Sequence, residues 1–157
     1  MEVQYNNLYT HFVFTTKGRF PCIAENNRER IEKYITGIVN NHSCKMYAIY
    51  ANPEHVHFLI SRSPETSEQQ VATLIADASE IFINNGKLCT GRFYWQQSCS
   101  AFSVSKGDID RVCKYILNQP VHHKKKTFVE EYDQFLKFYQ HTLNPNKGIR
   151  DEGHPCH

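Results

Sequence analysis

The spacing of apolar residues in this chain changes period in a set order, and that order constrains the fold more than any other feature. Leu8 to Thr16 is rich in strand formers, with Thr10, Phe12 and Phe14 sharing one face, and Lys17-Gly18-Arg19 and Pro21 punctuate it. From Glu25 to His42 the period becomes helical, with Ile31, Tyr34, Ile35, Ile38 and Val39 on one side. Met46–Ala51 and His55–Arg62 return to strand character and read as a hairpin about the turn Asn52-Pro53-Glu54. Thr66 and Gln69 predict a capping box for a second helix, with the stripe Val71, Leu74, Ile75, Ala78 and Phe82, ending near Asn84-Asn85-Gly86. After a loop from Asn84 to Gly91, Arg92–Gln96 and Ala101–Ser105 are strand-like. Gly107-Asp108 opens a third helix to about Asn118, buried through Ile109, Val112, Cys113 and Ile116 and ended by Pro120. A last helix, from about Thr127 to Tyr139, turns Phe128, Tyr132, Phe135 and Leu136 inward.

The order β-α-β-β-α-β followed by helices is that of the ferredoxin-like split βαβ layout. This is an α+β fold with an antiparallel sheet, helices on one face and additional C-terminal helices. At 157 residues the chain fits one domain, expected over 1–143, with 144–157 an aperiodic tail. Hydrophobic residues at 40% and charged residues at 22% are those of a water-soluble globular chain rather than a disordered or fibrous one. No apolar run approaches the roughly 18 residues of a membrane span, and the N-terminus lacks a basic stretch before an apolar core, so a cytoplasmic protein is expected. Six cysteines without a C-x-x-C pair are expected to be reduced thiols, several in the core. Lys plus Arg numbers 18 against 16 for Asp plus Glu, a net of +2, too little for the field of the whole molecule to attract nucleic acid. Any such role needs a local patch.

Three short motifs could carry chemistry. His55-Val56-His57 opens a strand, where residues two apart point the same way, so both imidazoles can reach one metal ion while Val56, Phe58 and Ile60 take the buried face. Tyr115 and Gln119 stand four apart on the third helix, neighbours one turn apart that flank its apolar stripe. A phenol there can act as nucleophile and an amide oxygen as metal ligand. His122-His123-Lys124-Lys125-Lys126 follows Pro120 and can hold phosphates, or be a solvated loop. Trp95, the sole tryptophan, beside Phe93 and Tyr94, can stack on unpaired bases or pack in the core. His11, His42, His141, His154, Cys156 and His157 have no partner spacing and read as structural or solvent-exposed.

Taken in order, these motifs resemble the HUH single-tyrosine transposases, small enzymes that mobilise insertion sequences as single-stranded DNA. The resemblance runs from Tyr9 to about Tyr139. It is carried by Tyr9-Thr10-His11-Phe12-Val13-Phe14-Thr15-Thr16-Lys17, Pro53-Glu54-His55-Val56-His57-Phe58-Leu59, Phe93-Tyr94-Trp95-Gln96, Ala101-Phe102-Ser103-Val104-Ser105, Tyr115-Ile116-Leu117-Asn118-Gln119 and the stretch from His122 to Tyr132. It implies a divalent cation, Mg²⁺ or Mn²⁺, on His55, His57 and Gln119, and Tyr115 as the nucleophile that keeps a 5′ phosphate as phosphotyrosine. It also implies a homodimer, substrates of single-stranded DNA with hairpin ends, and DNA contacts by Lys17, Arg19, Trp95, His122, His123, Lys124, Lys125 and Lys126. Two alternatives stand beside it: a domesticated relative with the same chemistry, and a catalytically inactive module that binds hairpin nucleic acid.

Overall fold

The computed structural model describes residues 1–124 and 127–143. Its elements are β1 (Tyr9–Thr15), α1 (Glu25–Asn41), β2 (Lys45–Ala51), β3 (His55–Ser61), α2 (Glu68–Asn85), β4 (Ser100–Val104), α3 (Ile109–Leu117), α4 (Gln119–His123) and α5 (Phe128–Leu143). They form two compact units, Met1–Gln119 and the segment from Pro120 onward.

In the first unit the four strands make one antiparallel sheet in the order β2-β3-β1-β4, the α+β arrangement expected from the sequence. β1 lies centrally, with Phe12 opposite Phe58 on β3 and Val13 opposite His57. Because side chains alternate, this register sends Phe12, Phe14, Val56, Phe58 and Ile60 to one face. There they meet Ile31, Ile35 and Val39 of α1 and Val71, Ile75 and Ile83 of α2 in one apolar core. The rings of Phe12 and Phe58 stack at 5.1 Å, and Tyr34 of α1 stacks on Phe82 of α2 at 3.9 Å. α3 packs against β2 and β3, and its Tyr115 ring meets His11 and His57, residues of the other face. That second face is also dry, since Val13, Leu59, Val112 and Ile116 are all buried.

Several element ends differ from the sequence reading. The capping box of α2 is built by Ser67 and Gln70, not Thr66 and Gln69: the Ser67 hydroxyl accepts from Gln70 N at 3.1 Å and Gln70 Oε1 accepts from Ser67 N at 2.8 Å. Thr66 is committed elsewhere, its hydroxyl donating to Ser63 O. Arg92–Gln96 is no strand, and only an isolated bridge joins Trp95 to Thr16. Two backbone bonds, Gln96 N to Thr15 O at 2.8 Å and Lys17 N to Tyr94 O at 2.9 Å, hold the segment together with a side chain, Asn84 Oδ1 accepting from Phe93 N at 2.7 Å and Asn84 Nδ2 donating to Phe93 O at 2.9 Å. α3 stops at Leu117 with Asn118 as its C-cap, as expected, but the chain after it is not a loop: Pro120 occupies the second position of α4, where the missing N–H costs no helical bond.

In the second unit, Thr127 and Glu130 cap α5 reciprocally, at 3.1 and 3.4 Å. Phe128 and Tyr132 pack ring to ring at 5.5 Å and are half-buried, as is Leu136. The Phe135 side chain and segment 144–157 lie outside the described residues. No described helix is long and apolar enough to cross a membrane. The five described cysteines are free thiols.

Candidate active site

The β2–β3 turn is the base of the site. Asn52 N donates to His55 O at 2.8 Å, closing the hairpin so that β3 begins with His55. The pleat then turns His55 and His57 to the α3 face, where both are buried, at 0% and 2% exposure. Their rings meet edge to face with centroids 4.9 Å apart. From α3, Tyr115 brings its ring to 5.7 Å from His57, nearly perpendicular to it. Gln119 is fully buried. The sequence reading set it beside the apolar stripe of a continuous helix. The break at Asn118 between α3 and α4 removes the basis for that phase count, and the Gln119 side chain points inward.

The polar atoms of this cluster are tied to one another. His55 Nδ1 lies 2.9 Å from Glu54 Oε1, and His55 Nε2 lies 3.1 Å from Asn52 Nδ2. The same Asn52 Nδ2 donates to Gln119 Oε1 at 3.2 Å, and Gln119 Nε2 reaches Tyr115 O at 3.5 Å. A carboxylate can only accept and an amide NH₂ can only donate, so Nδ1 of His55 carries the proton and Nε2 carries the lone pair. One donor group therefore touches both His55 Nε2 and Gln119 Oε1, which makes this pair of acceptors a fit for a cation. Imidazole nitrogen and amide oxygen suit a divalent ion of borderline to hard character. Among the described residues no three His, Cys, Asp or Glu side chains gather as a metal cage, so a cation here would depend on the amide as third donor.

A third histidine completes the cluster. His11 on β1, read from sequence as structural or exposed without a partner, is fully buried with Nε2 3.0 Å from His57 Nδ1. Burial pushes its pKa from 6.5 down to about 3, so the ring is neutral at physiological pH. Asn52, Glu54 and His11 were all missed in the sequence. The signal available was adjacency of Asn52 and Glu54 to the H-x-H pair, whereas the 46-residue separation of His11 from His57 carried none.

The basic residues divide. Lys17 and Arg19 are exposed in the turn after β1, held against the 92–97 segment by Lys17 N donating to Tyr94 O at 2.9 Å and Gly18 N to Gln96 Oε1 at 3.2 Å. Trp95 is not a base-stacking residue. It is 6% exposed, its indole N–H donates to Ser79 Oγ at 2.9 Å, and its ring packs edge to face on Phe14 and Phe93. The exposed aromatic is its neighbour Tyr94, with Lys17 Nζ 5.2 Å and the Arg92 guanidinium 5.6 Å from its ring centre. This patch adjoins the histidines, since Thr16 N and Oγ1 both donate to Glu54 O, at 2.9 and 3.1 Å. Lys124 is exposed, while the side chains of His122 and His123, and all of Lys125 and Lys126, lie outside the described residues. A cleft of about 710 Å³ sits elsewhere, lined by Phe12, Phe14, Glu68, Asp77, Glu80 and Trp95; its three carboxylates disfavour phosphate.

The sequence profile of the family described as "Transposase IS200 like" matches residues 4–119, which hold the cluster and the Tyr94 patch. No curated protein matches the chain. Among solved structures, a candidate transposase from Deinococcus radiodurans R1 superposes with a TM-score of 0.59 at 19% identity, covering 76% of this chain and 96% of that one. A REP-associated tyrosine transposase bound to a REP hairpin superposes with a TM-score of 0.57 at 15% identity, covering 78% of this chain and 74% of that one. Both likenesses are of fold.

Proposed function

The chain belongs to the IS200-like transposase family, the HUH single-tyrosine type that its motifs resemble, and from that premise we propose that it cleaves and rejoins single-stranded DNA through Tyr115. The observation that carries this reading is the gathering of His55, His57 and Gln119, all buried, with the Tyr115 ring against His57. In the proposed step Tyr115 Oη attacks the scissile phosphorus and the P–O3′ bond breaks. The phenolic proton leaves to solvent, the departing 3′ oxygen takes up a proton, and a 5′-phosphotyrosine remains. Attack by a 3′ hydroxyl on that phosphotyrosine reverses the chemistry and rejoins strands. His55 Nε2, His57 and Gln119 Oε1 would hold Mg²⁺ or Mn²⁺, which when bound supplies Lewis acidity to the scissile phosphate. Glu54 and Asn52 hold His55 and Gln119 in place, and α3, packed over the sheet, limits water around the cluster.

The Tyr94 patch is proposed to carry the strand toward the histidines, with a base on the ring and phosphates on Lys17, Arg19 and Arg92. His122, His123, Lys124, Lys125 and Lys126 are further proposed phosphate contacts. A fold relative is bound to a REP hairpin, and we extend hairpin-ended DNA to this chain as substrate, acted on by a cytoplasmic homodimer as the family resemblance implies. The test incubates the purified protein with single-stranded oligonucleotides from the DNA flanking its gene, with Mg²⁺ or Mn²⁺, and resolves covalent adducts on a denaturing gel. Wild type gives an adduct that is lost with EDTA, with Tyr115→Phe and with His57→Ala, and duplex gives none. Hairpin binding without any adduct would replace the enzyme by a binding module.

A further inference from the structure

We propose that His11 is a positioning residue that accepts the Nδ1 proton of His57 and so fixes the ring with its Nε2 lone pair available to a cation. The inference rests on the reading of His57 as a metal ligand. A neutral imidazole carries one N–H and one lone pair, so the 3.0 Å contact between His11 Nε2 and His57 Nδ1 needs a donor on one side and an acceptor on the other. Two arrangements satisfy it. If His11 donates, the proton of neutral His57 sits on Nε2 and that nitrogen cannot bind metal. If His57 donates, its lone pair is on Nε2, matching His55.

The His55 ring decides between them by analogy within the same site. Its tautomer is set by chemistry, with Glu54 Oε1 on Nδ1 and Asn52 Nδ2 on Nε2. With Nδ1 of His57 occupied by His11, a cation on that ring needs the Nε2 lone pair and hence the proton on Nδ1, and His11 then stands to His57 as Glu54 stands to His55. The position itself demands an account. His11 is fully buried, faces Leu59 across the β1–β3 ladder and reaches His57 diagonally. An apolar side chain would fill that place without the desolvation an imidazole suffers. With Nε2 accepting from His57, neutral His11 carries its own proton on Nδ1 and has no lone pair left for a cation, consistent with the lack of a three-residue His, Cys, Asp or Glu cage among the described residues.

The experiment reads the tautomer directly. Long-range ¹H–¹⁵N spectra of metal-free protein with ¹⁵N-labelled histidine distinguish Nδ1–H from Nε2–H rings, with the His57 signals identified by their loss in His57→Gln. Wild type is expected to hold His57 as Nδ1–H. His11→Phe, which removes the acceptor, shifts His57 toward the Nε2–H form preferred by free imidazole. His11→Gln places an amide oxygen near the lost nitrogen and restores the wild-type tautomer. Mn²⁺ titration is the second readout: His11→Phe weakens binding about ten- to hundredfold at an unchanged melting temperature, and His11→Gln recovers most of it. An Nε2–H ring in wild type, or a His11→Phe protein with unaltered tautomer and Mn²⁺ affinity, overturns the proposal. Should His11→Phe not fold, the wild-type and His11→Gln spectra still decide. A wild type that binds no Mn²⁺ refutes the metal reading of the site, and the tautomer measurement still judges His11 separately.

Discussion

Thr16 shows how a single hydroxyl can secure a site it does not enter. It is 1% exposed, and its single Oγ1–H is shared between Phe20 O at 2.7 Å and Glu54 O at 3.1 Å, while its N–H also donates to Glu54 O, pinning the residue whose carboxylate holds His55. Thr16→Val keeps the volume and the backbone N–H to Glu54 O but removes the shared hydroxyl donor, which leaves Phe20 O without it. It should cost about 1–2 kcal/mol, read as a lowered urea midpoint. The two metal-candidate histidines were legible because they sit two apart in one strand, and that spacing alone aims them together. Asn52 and Glu54 flank the pair yet were read only as turn formers, because their contacts depend on how tightly the hairpin closes. His11 was not legible, since nothing local separates a buried polar partner from a strand histidine facing water. Composition left Trp95 both fates, and its packing on Phe14 and Phe93 above the Ser79 hydroxyl puts it in the core.

Each element owes its place to a face rather than to propensity. α1 shows Ile31, Ile35 and Val39 at four-residue steps, all buried, as the periodicity implies. α2 buries Val71, Ile75, Ser79 and Ile83, so its axis of burial lies one residue away from the predicted Leu74, Ala78 and Phe82 edge, which is half-buried. A buried serine in that row hid the stripe from a reading by hydrophobicity; its hydroxyl donates to Ile75 O at 2.6 Å and accepts from Trp95. The start of α2 gives a clean test. Ser67→Ala removes the capping hydroxyl and should destabilise the protein by about 1 kcal/mol in urea unfolding, whereas Thr66→Ala leaves the capping box intact and should cost less. The reverse ranking would return the cap to Thr66. The end of α3 near Asn118 was legible from Pro120, whereas the short helix α4 that follows was not, because proline near a helix start and proline after a helix end look alike in sequence.

Across the whole chain a net charge of +2 leaves nucleic-acid affinity to local chemistry. The Tyr94 patch makes that quantitative. Tyr94→Ala should weaken single-stranded DNA binding by about 1–3 kcal/mol with the salt dependence preserved. Lys17→Ala should instead lower the slope of log K against log salt by about 0.7, the value for one phosphate contact on a single strand. Fluorescence anisotropy over a salt series separates the two, and equal slopes for Lys17→Ala and wild type would remove Lys17 from the path. The order of strands and helices was readable because it follows from period alone, whereas the pairing β2-β3-β1-β4 had to be inferred from layout. The register of that pairing has a consequence for assembly. A slip of one residue between β1 and β3 would exchange the faces of the central strand, turning Phe12 and Phe14 toward Tyr115 and sending His11 among Ile31, Ile35 and Ile75. A misaligned chain could collapse and still be oily inside, yet it would lack the His11–His57 contact beneath α3. With His11 setting the His57 tautomer as proposed, the moment at which a refolding chain reaches its full Mn²⁺ affinity is a timestamp for strand alignment, later and stricter than the moment at which it becomes compact.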